Sequence, residues 1–164
     1  MTKLINLSLC ISAILLSSFS PKNSNGTCNV VSVAKSIKAI KTANSISYTG
    51  TWTCNANTRG TTLYIDDNTP LIAREIGVKY SNIKWMAGQG WPWYYVPCPD
   101  VPAGKTNYTH SIYASVGGKN FKTCDMDGHF RGDKADVVTF YISDDKYDDN
   151  VGTYDVEITY SKED

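Results

Sequence analysis

Short runs of apolar and β-branched residues, each closed by a turn rich in Gly, Asn, Asp or Pro, fill the chain from residue 45 onward. Such runs are typical of β-strands, because successive side chains of a strand point to opposite faces of the sheet. The pattern predicts strands at Ile46–Trp52, Thr61–Ile65, Leu71–Val78, Asn82–Gln89, Ser111–Val116, Val137–Ile142 and Thr153–Tyr160. Since no long helical segments alternate with them, we expect an all-β chain folded as an antiparallel β-sandwich.

The segment before these strands has a different period. Apolar residues recur there at helical spacing, with lysines on other faces, at Val30, Val33, Ile37 and Ile40. This spacing fits a short amphipathic helix over residues 30–43 that packs against the sheet. We therefore expect residues 21–44 to be a linker with a short helix, and residues 45–164 to form the sandwich domain.

The start of the chain has the pattern of a secretion signal. Lys3 precedes a mostly apolar run from Leu4 to Phe19, and Ser18-Phe19-Ser20 has the small-x-small pattern of a cleavage site. The apolar run is short for a membrane span. We expect residues 1–20 to be removed, the protein to be secreted to the extracellular space or the periplasm, and no membrane insertion afterwards.

Charge and cysteine content narrow the chemistry further. The chain has 16 basic and 16 acidic residues, which argues against a nucleic-acid partner, because such binding requires a basic face. Beyond the signal, an even number of cysteines in an exported chain indicates two disulfides among Cys28, Cys54, Cys98 and Cys124. Spacing leaves three pairings open, and proximity along the chain favours Cys28–Cys54 and Cys98–Cys124. No Cys-x-x-Cys pair occurs, so these cysteines do not predict a metal site.

An acidic segment lies between the last two predicted strands, and therefore at one end of the sandwich. Four carboxylates and one amide fall within seven residues, namely Asp144, Asp145, Asp148, Asp149 and Asn150. Like charges repel unless water or a cation separates them, so the segment is either a hydrated turn or a cation site. Ca²⁺ takes six to eight oxygen ligands of these kinds. The spacing does not match an EF-hand loop.

The densest aromatic run is Trp91-Pro92-Trp93-Tyr94-Tyr95. Neighbours on an extended chain alternate faces, so these rings cannot all point into a core. Exposed rings of this kind stack on the C–H-rich faces of sugars, whereas buried ones supply core packing. The run therefore leaves two interpretations open, a ligand platform and plain packing.

Several motifs occur in a recognisable order along the second half of the chain. They are Ile83–Trp91, which ends in a Gly-Trp turn; Pro99-Asp100; Ile112–Gly117; and Asp144-x4-Asp149-Asn150-x-Gly152-Thr153, which leads into an alternating strand. Together they resemble the galactophilic bacterial lectins of the PA-I type, whose domain closes with a calcium loop of this form. Pro99-Asp100 falls where that family has a His-Pro-Asp-Gln sugar-contact motif. The resemblance spans roughly Arg74 to Thr159, about half of the chain.

The resemblance implies a jelly-roll or galactose-binding-like sandwich that binds Ca²⁺ and a sugar together. Its calcium ligands would be the side chains of Asp144, Asp149 and Asn150, with a backbone carbonyl near Tyr94, and calcium would hold two sugar hydroxyls directly. The carbohydrate site would comprise Trp91, Trp93, Tyr94, Asp100, Asp144 and Asp149. Cys98 and Val101 replace the His and the Gln of the family's motif, so two of the family's polar sugar contacts are missing here and the sugar specificity stays open.

The sequence thus predicts a secreted, calcium-dependent carbohydrate-binding protein of the lectin kind that performs no catalysis. Its partner would be a glycan, and a homo-oligomer stays open. Two alternatives remain at this stage. In the first, the chain is a structural or interaction module whose calcium only stiffens the loop. In the second it is a small secreted hydrolase, since two of its many aspartates would suffice for glycoside hydrolysis.

Overall fold

A computed structural model describes residues 30–42, 45–104 and 110–162. These residues form ten strands: β1 (Val30–Val33), β2 (Ser36–Lys41), β3 (Ile46–Asn55), β4 (Thr61–Tyr64), β5 (Ile72–Met86), β6 (Ile112–Val116), β7 (Lys119–Lys122), β8 (Asp127–Val137), β9 (Thr139–Ile142) and β10 (Val151–Ser161). One turn of 3₁₀ helix, Tyr147–Asp149, precedes β10. Among the described residues no helix is long and apolar enough to cross a membrane.

The strands lie in two five-stranded sheets, ordered β1-β4-β9-β6-β7 and β2-β3-β10-β5-β8. Strand β1 pairs with β4 in parallel, with Val30 opposite Thr61. The other described strand pairs are antiparallel. The expected all-β, antiparallel sandwich is therefore confirmed.

The core lies between the two sheets. Strand β3 shows why it forms, because its inward residues Trp52 and Cys54 are fully buried while the neighbouring Thr51 and Thr53 are only partly covered. Trp52, Trp85, Phe140 and Tyr154 are the bulkiest aromatic side chains among those fully buried. Burial of one such apolar side chain contributes about 1.5–3 kcal/mol. The polar edge of Trp52 is satisfied as well, since its Nε1 donates to the Tyr64 carbonyl at 2.8 Å.

The helix expected over residues 30–43 is wrong. Strands β1 and β2 occupy this segment and belong to different sheets. The chain crosses between them at Ala34 and Lys35, whose amides donate to Tyr64 and Thr51. A helix would put Ile37 and Ile40 on one face, whereas in β2 Ile37 packs against the core and Ile40 is half exposed. Pairing with other strands outweighs a local helical pattern here, and β1 and β2 both belong to the sheets of the sandwich.

Two predicted strands, residues 71–78 and 82–89, are one strand, β5. The break that the sequence suggested is an irregularity within it: Asn82 has φ 50°, and the pairing register with β10 shifts between Thr153 and Asp155. Asn tolerates this left-handed conformation better than most residues do. Strands β7 and β8 were not predicted, because both lie at sheet edges and carry mostly exposed, polar side chains.

The cysteines follow the prediction in part. Cys98 and Cys124 form a disulfide, as expected. Cys54 is a free thiol, so the expected Cys28–Cys54 bond is wrong; Cys28 itself lies outside the described residues. Cys54 points into the core beside Tyr154, and burial raises the pKa of its thiol. The predicted signal peptide, residues 1–20, also lies outside the described residues.

Candidate functional site

The acidic segment forms the connection between β9 and β10 at one end of the sandwich. Its course is set by local hydrogen bonds, since the Lys146 amide donates to Asp144 Oδ1 at 3.2 Å and the Asn150 amide donates to the Tyr147 carbonyl at 3.2 Å. The 3₁₀ turn carries Asp148 and Asp149, and Asp149 lines the same cleft as Asp144.

Asn150 anchors this loop to the rest of the fold. Its side chain is buried, with only 3% of the residue exposed, and Nδ2 donates to the Ala56 carbonyl at 3.1 Å. The other end of the amide, Oδ1, is buried and receives no hydrogen bond from any residue that the structure describes. A buried carbonyl oxygen without a partner destabilises the fold by about 1–3 kcal/mol, so this oxygen is an acceptor that the described residues leave unsatisfied.

Asp144 presents a second oxygen of the same kind. Its side chain is 4% exposed, and Oδ2 has no hydrogen-bond partner among the described residues. Burial raises the pKa of this carboxyl, an effect that the Lys146 amide, His110 and the Asn150 amide only partly offset. The last of these interactions also shows that Asn150 lies beside Asp144.

His110 lies next to Asp144, although nothing in the sequence had linked the two. Its ring is almost fully buried, and Nδ1 lies 3.8 Å from Asp144 Oδ2 and 3.2 Å from the Ser143 carbonyl. The Trp91 ring meets it edge-on, with 4.4 Å between ring centroids and an interplanar angle of 89°. The imidazole therefore fixes the orientation of Trp91 relative to the acidic loop.

Asp149 approaches the site from the other end of the loop. Its side chain is 38% exposed, and Oδ2 accepts a hydrogen bond from Lys146 Nζ at 3.1 Å. Gly88 packs against this carboxylate: its φ is +92°, and a Cβ at this position would lie 2.8 Å from Asp149 Oδ2. Only glycine combines that backbone conformation with that clearance.

These residues enclose a cleft of about 280 Å³. Its walls, referred to below as the acidic cleft, are Ala87, Trp91, His110, Asp144, Asp145, Lys146 and Asp149. Three of the predicted site residues, Trp91, Asp144 and Asp149, thus meet in one place, and Asn150 lies beside Asp144 beneath them.

The other predicted residues do not line the acidic cleft. Tyr94 is buried against Trp85, and the two exchange backbone hydrogen bonds, so the Tyr94 carbonyl is already an acceptor. Trp93 is 41% exposed, and Lys84 Nζ lies 5.1 Å from its ring centroid. Asp100 is exposed in the loop that follows Cys98.

The donor set of the acidic cleft restricts the cations it could hold. No group of three or more His, Cys, Asp or Glu side chains within the described ranges is arranged to hold a metal ion. A cation here would rely on two carboxylates, one amide oxygen and further oxygens from backbone, water or ligand. Hard cations such as Ca²⁺ use this kind of set, whereas Zn²⁺ uses nitrogen and sulfur ligands.

An apolar groove lies at the far end of strand β5 from the acidic cleft. It has a volume of about 500 Å³ and is lined mainly by Ile37, Tyr48, Ile65, Pro70, Ile72 and Tyr160. None of the predicted site residues lines it. Its lining contains no carboxylate, so the groove offers no charged ligand for a cation.

No protein-family model matches the chain, and no curated protein matches it. One solved structure that is similar is the N-terminal domain of EclA, described as a PllA-like lectin. It is 23% identical in sequence, the match covers 68% of this chain and 95% of that one, and the TM-score is 0.46.

Proposed function

We propose that the protein is a secreted carbohydrate-binding protein whose sugar site is the acidic cleft, with a Ca²⁺ ion held by Asp144, Asp149 and Asn150. The observation that carries the proposal is the pair of buried oxygens, Asp144 Oδ2 and Asn150 Oδ1, which have no hydrogen-bond partner among the described residues. The sequence resemblance described above names the same three residues.

A cation explains this pair of oxygens better than a hydrated turn does. Both side chains are almost fully covered, and water would not neutralise the charge of a buried carboxylate. A divalent ion neutralises the Asp144 carboxylate and accepts electron pairs from both oxygens at once. The exposed Asp149 then supplies a further carboxylate from the open side of the cleft.

A sugar would bind through the coordination sites that the protein leaves open. Ca²⁺ takes six to eight oxygens, and vicinal sugar hydroxyls are oxygen ligands of the required kind. Trp91 offers the ring for the apolar face of the sugar, and His110 holds that ring in place. The disulfide Cys98–Cys124 supports an oxidising compartment, in keeping with the secretion signal that the sequence predicts.

The same assignment argues for binding without catalysis. Glycoside hydrolysis needs one carboxyl group as an acid and a second as a nucleophile or base. In the acidic cleft, Asp144 and Asp149 are both assigned to the cation, which leaves the more exposed Asp145 as the remaining carboxylate. The cleft thus lacks a second uncommitted carboxylate for this chemistry.

The proposal is tested by probing an array of neutral and charged saccharides with the purified protein, first in millimolar Ca²⁺ and then with a chelator. We expect binding in Ca²⁺ that the chelator abolishes, and a higher melting temperature in Ca²⁺. At one hundred times the dissociation constant the gain in stability is about 2.7 kcal/mol. Stabilisation by Ca²⁺ without any glycan signal would identify a structural calcium loop instead, and the absence of both effects would identify a hydrated turn.

A further inference from the structure

A second depression adjoins the acidic cleft. It has a volume of about 310 Å³ and is lined by Asn57, Thr58, Arg59, Asp145, Lys146, Tyr147 and Asp148. Asp145 and Lys146 line both depressions, so the two meet at these residues. The second depression, the flanking groove, draws its other wall from the turn between β3 and β4.

The wall of the flanking groove is fixed to the acidic loop. Asn150 Nδ2 donates to the Ala56 carbonyl at 3.1 Å, and the Ala56 amide donates to the Gly152 carbonyl at 3.0 Å. Within the turn, buried Thr58 donates from Oγ1 to the Asn55 carbonyl at 3.3 Å. The groove is therefore bounded by two segments held at a set spacing, and a ligand would meet a preformed surface.

The chemistry of the flanking groove suits a neutral, polyhydroxylated ligand. Arg59 and Asn57 are exposed donors, and Arg59 forms no ion pair with any residue in the described part of the chain. Tyr147 adds an aromatic ring. The charges of Arg59 and Lys146 balance those of Asp145 and Asp148, so the groove as a whole favours neither an anionic nor a cationic ligand.

Size also links the two depressions. Sites for small ligands usually enclose about 300–1,000 Å³, and each depression alone lies at or below the lower end of this range. Taken together they fall well within it. One sugar ring in the acidic cleft would leave the adjoining groove open to the next unit of the same chain.

From this continuity we infer that the ligand is a neutral glycan of at least two sugar units, with the second unit bound in the flanking groove by Arg59 and Asn57. The inference rests on the proposed function and makes it narrower. The Arg59 guanidinium would donate to hydroxyls of the second unit, and Asn57 would supply a donor and an acceptor. Both residues would determine specificity without contacting the cation.

The experiment compares paired sugars on wild-type protein and variants. A saccharide array first selects a monosaccharide that binds in Ca²⁺, presented as its methyl glycoside. Calorimetry then compares its dissociation constant with those of disaccharides that carry the same sugar at the non-reducing end. We expect at least one disaccharide to bind about tenfold more tightly, which corresponds to one charge-assisted hydrogen bond. R59A should remove that advantage while leaving monosaccharide binding unchanged, and R59K should restore only part of it, because Lys lacks the planar fork of donors.

Matched controls separate this inference from the proposed function. R131A removes an exposed arginine from the edge strand β8. It should alter neither the affinity for the monosaccharide nor that for the disaccharides. Monosaccharide binding reports that each variant is folded. Equal affinities for monosaccharide and disaccharides, or an R59A variant that keeps the full advantage, would overturn the second subsite while leaving the calcium-dependent lectin intact. Absence of any glycan binding would instead overturn the proposed function.

Discussion

Lys146 Nζ lies 3.1 Å from Asp149 Oδ2, inside the loop that we propose to bind calcium. The ammonium thus holds a carboxylate oxygen that a cation would need. Proximity to Asp149, and then to Asp148, raises the pKa of this ammonium, so Lys146 is charged at neutral pH. A cation that binds Asp149 has to share it with Lys146 or displace it.

Replacing Lys146 with Met should therefore strengthen calcium binding. The change removes a competing positive charge and leaves the carboxylates in place, and exposed pairs of this kind correspond to a several-fold effect at most, about threefold. Calorimetric titration with Ca²⁺ measures it. Lys79→Met is the matched control, because Lys79 also forms an exposed ion pair, in this case with Asp127 of β8. Equal calcium affinities for Lys146→Met and wild type would mean that the lysine does not compete.

Neutralising the two adjacent acids of the loop should have unequal effects. Asp149 lines the acidic cleft, whereas Asp148 lines only the flanking groove. Asp149→Asn keeps an oxygen but loses the charge, so we expect calcium affinity to fall about tenfold or more, which is at least 1.4 kcal/mol. Asp148→Asn should change it about twofold, through screened long-range attraction alone. If the two variants lose affinity equally, the loop attracts cations without a defined site.

The fold and the site differ in how far the sequence predicts them. Strands such as β10 were predicted well, because their alternating apolar residues face a core and reflect a period of two. Strand β8 was not, since an edge strand with polar exposed positions lacks that signal. For β1 and β2, the apolar residues have a helical spacing by chance. These segments are strands because they pair with β4 and β3, and the sequence alone does not show that pairing.

Within the site, too, the sequence predicts some residues and misses others. Asp144, Asp149 and Asn150 were predicted because they are contiguous in one loop and match a motif. His110 and Gly88 were not, since each approaches the loop only through sheet pairing between distant segments. Trp93 and Tyr94 were grouped with Trp91 by adjacency, yet the three residues lie in different surroundings, since Tyr94 is buried and Trp93 is exposed. A motif that is local in sequence identifies residues that share one loop, whereas the walls of a cleft depend on tertiary contacts.

The cysteine arrangement can be checked by mapping. We expect the unreduced protein to yield a peptide pair linked through Cys98 and Cys124, and Cys54 to react with iodoacetamide only after unfolding, because it is fully buried. Burial also raises its pKa, so little of the reactive thiolate is present in the native protein. A crosslinked peptide containing Cys54 would contradict the free thiol.

Replacing both Cys98 and Cys124 with Ser should lower the free energy of unfolding by about 3 kcal/mol.

Asp155 is the centre of a separate, structural network. Its Oδ1 accepts hydrogen bonds from Thr53 at 2.6 Å and Lys35 at 3.0 Å, and its Oδ2 accepts one from Asn82 at 2.8 Å. These bonds join β3, β5 and β10 with the segment that precedes β2, and they hold Asn82 in its left-handed conformation. Asp155 therefore stabilises the packing of these strands and lies outside the loop that we propose to bind calcium.

Asp155→Asn should lower the free energy of unfolding at neutral pH by about 1–3 kcal/mol, because an amide leaves at least one donor of this network without an acceptor. Burial opposes ionisation of Asp155, but hydrogen bonds from Asn82, Thr53 and Lys35 outweigh it and lower the pKa of the carboxyl. A folded-state pKa below the unfolded value, about 3.9, stabilises the protein above that value, and the contribution is lost as the pH falls through the folded-state pKa. Denaturant unfolding of wild type and variant at pH 7 and near pH 2.5 should therefore show a difference in the free energy of unfolding that shrinks in acid.

Asp127→Asn, an exposed substitution on β8, is the control and should change stability by less than about 0.5 kcal/mol. A difference at Asp155 that stays constant with pH would show that shape, and not charge, holds the network together.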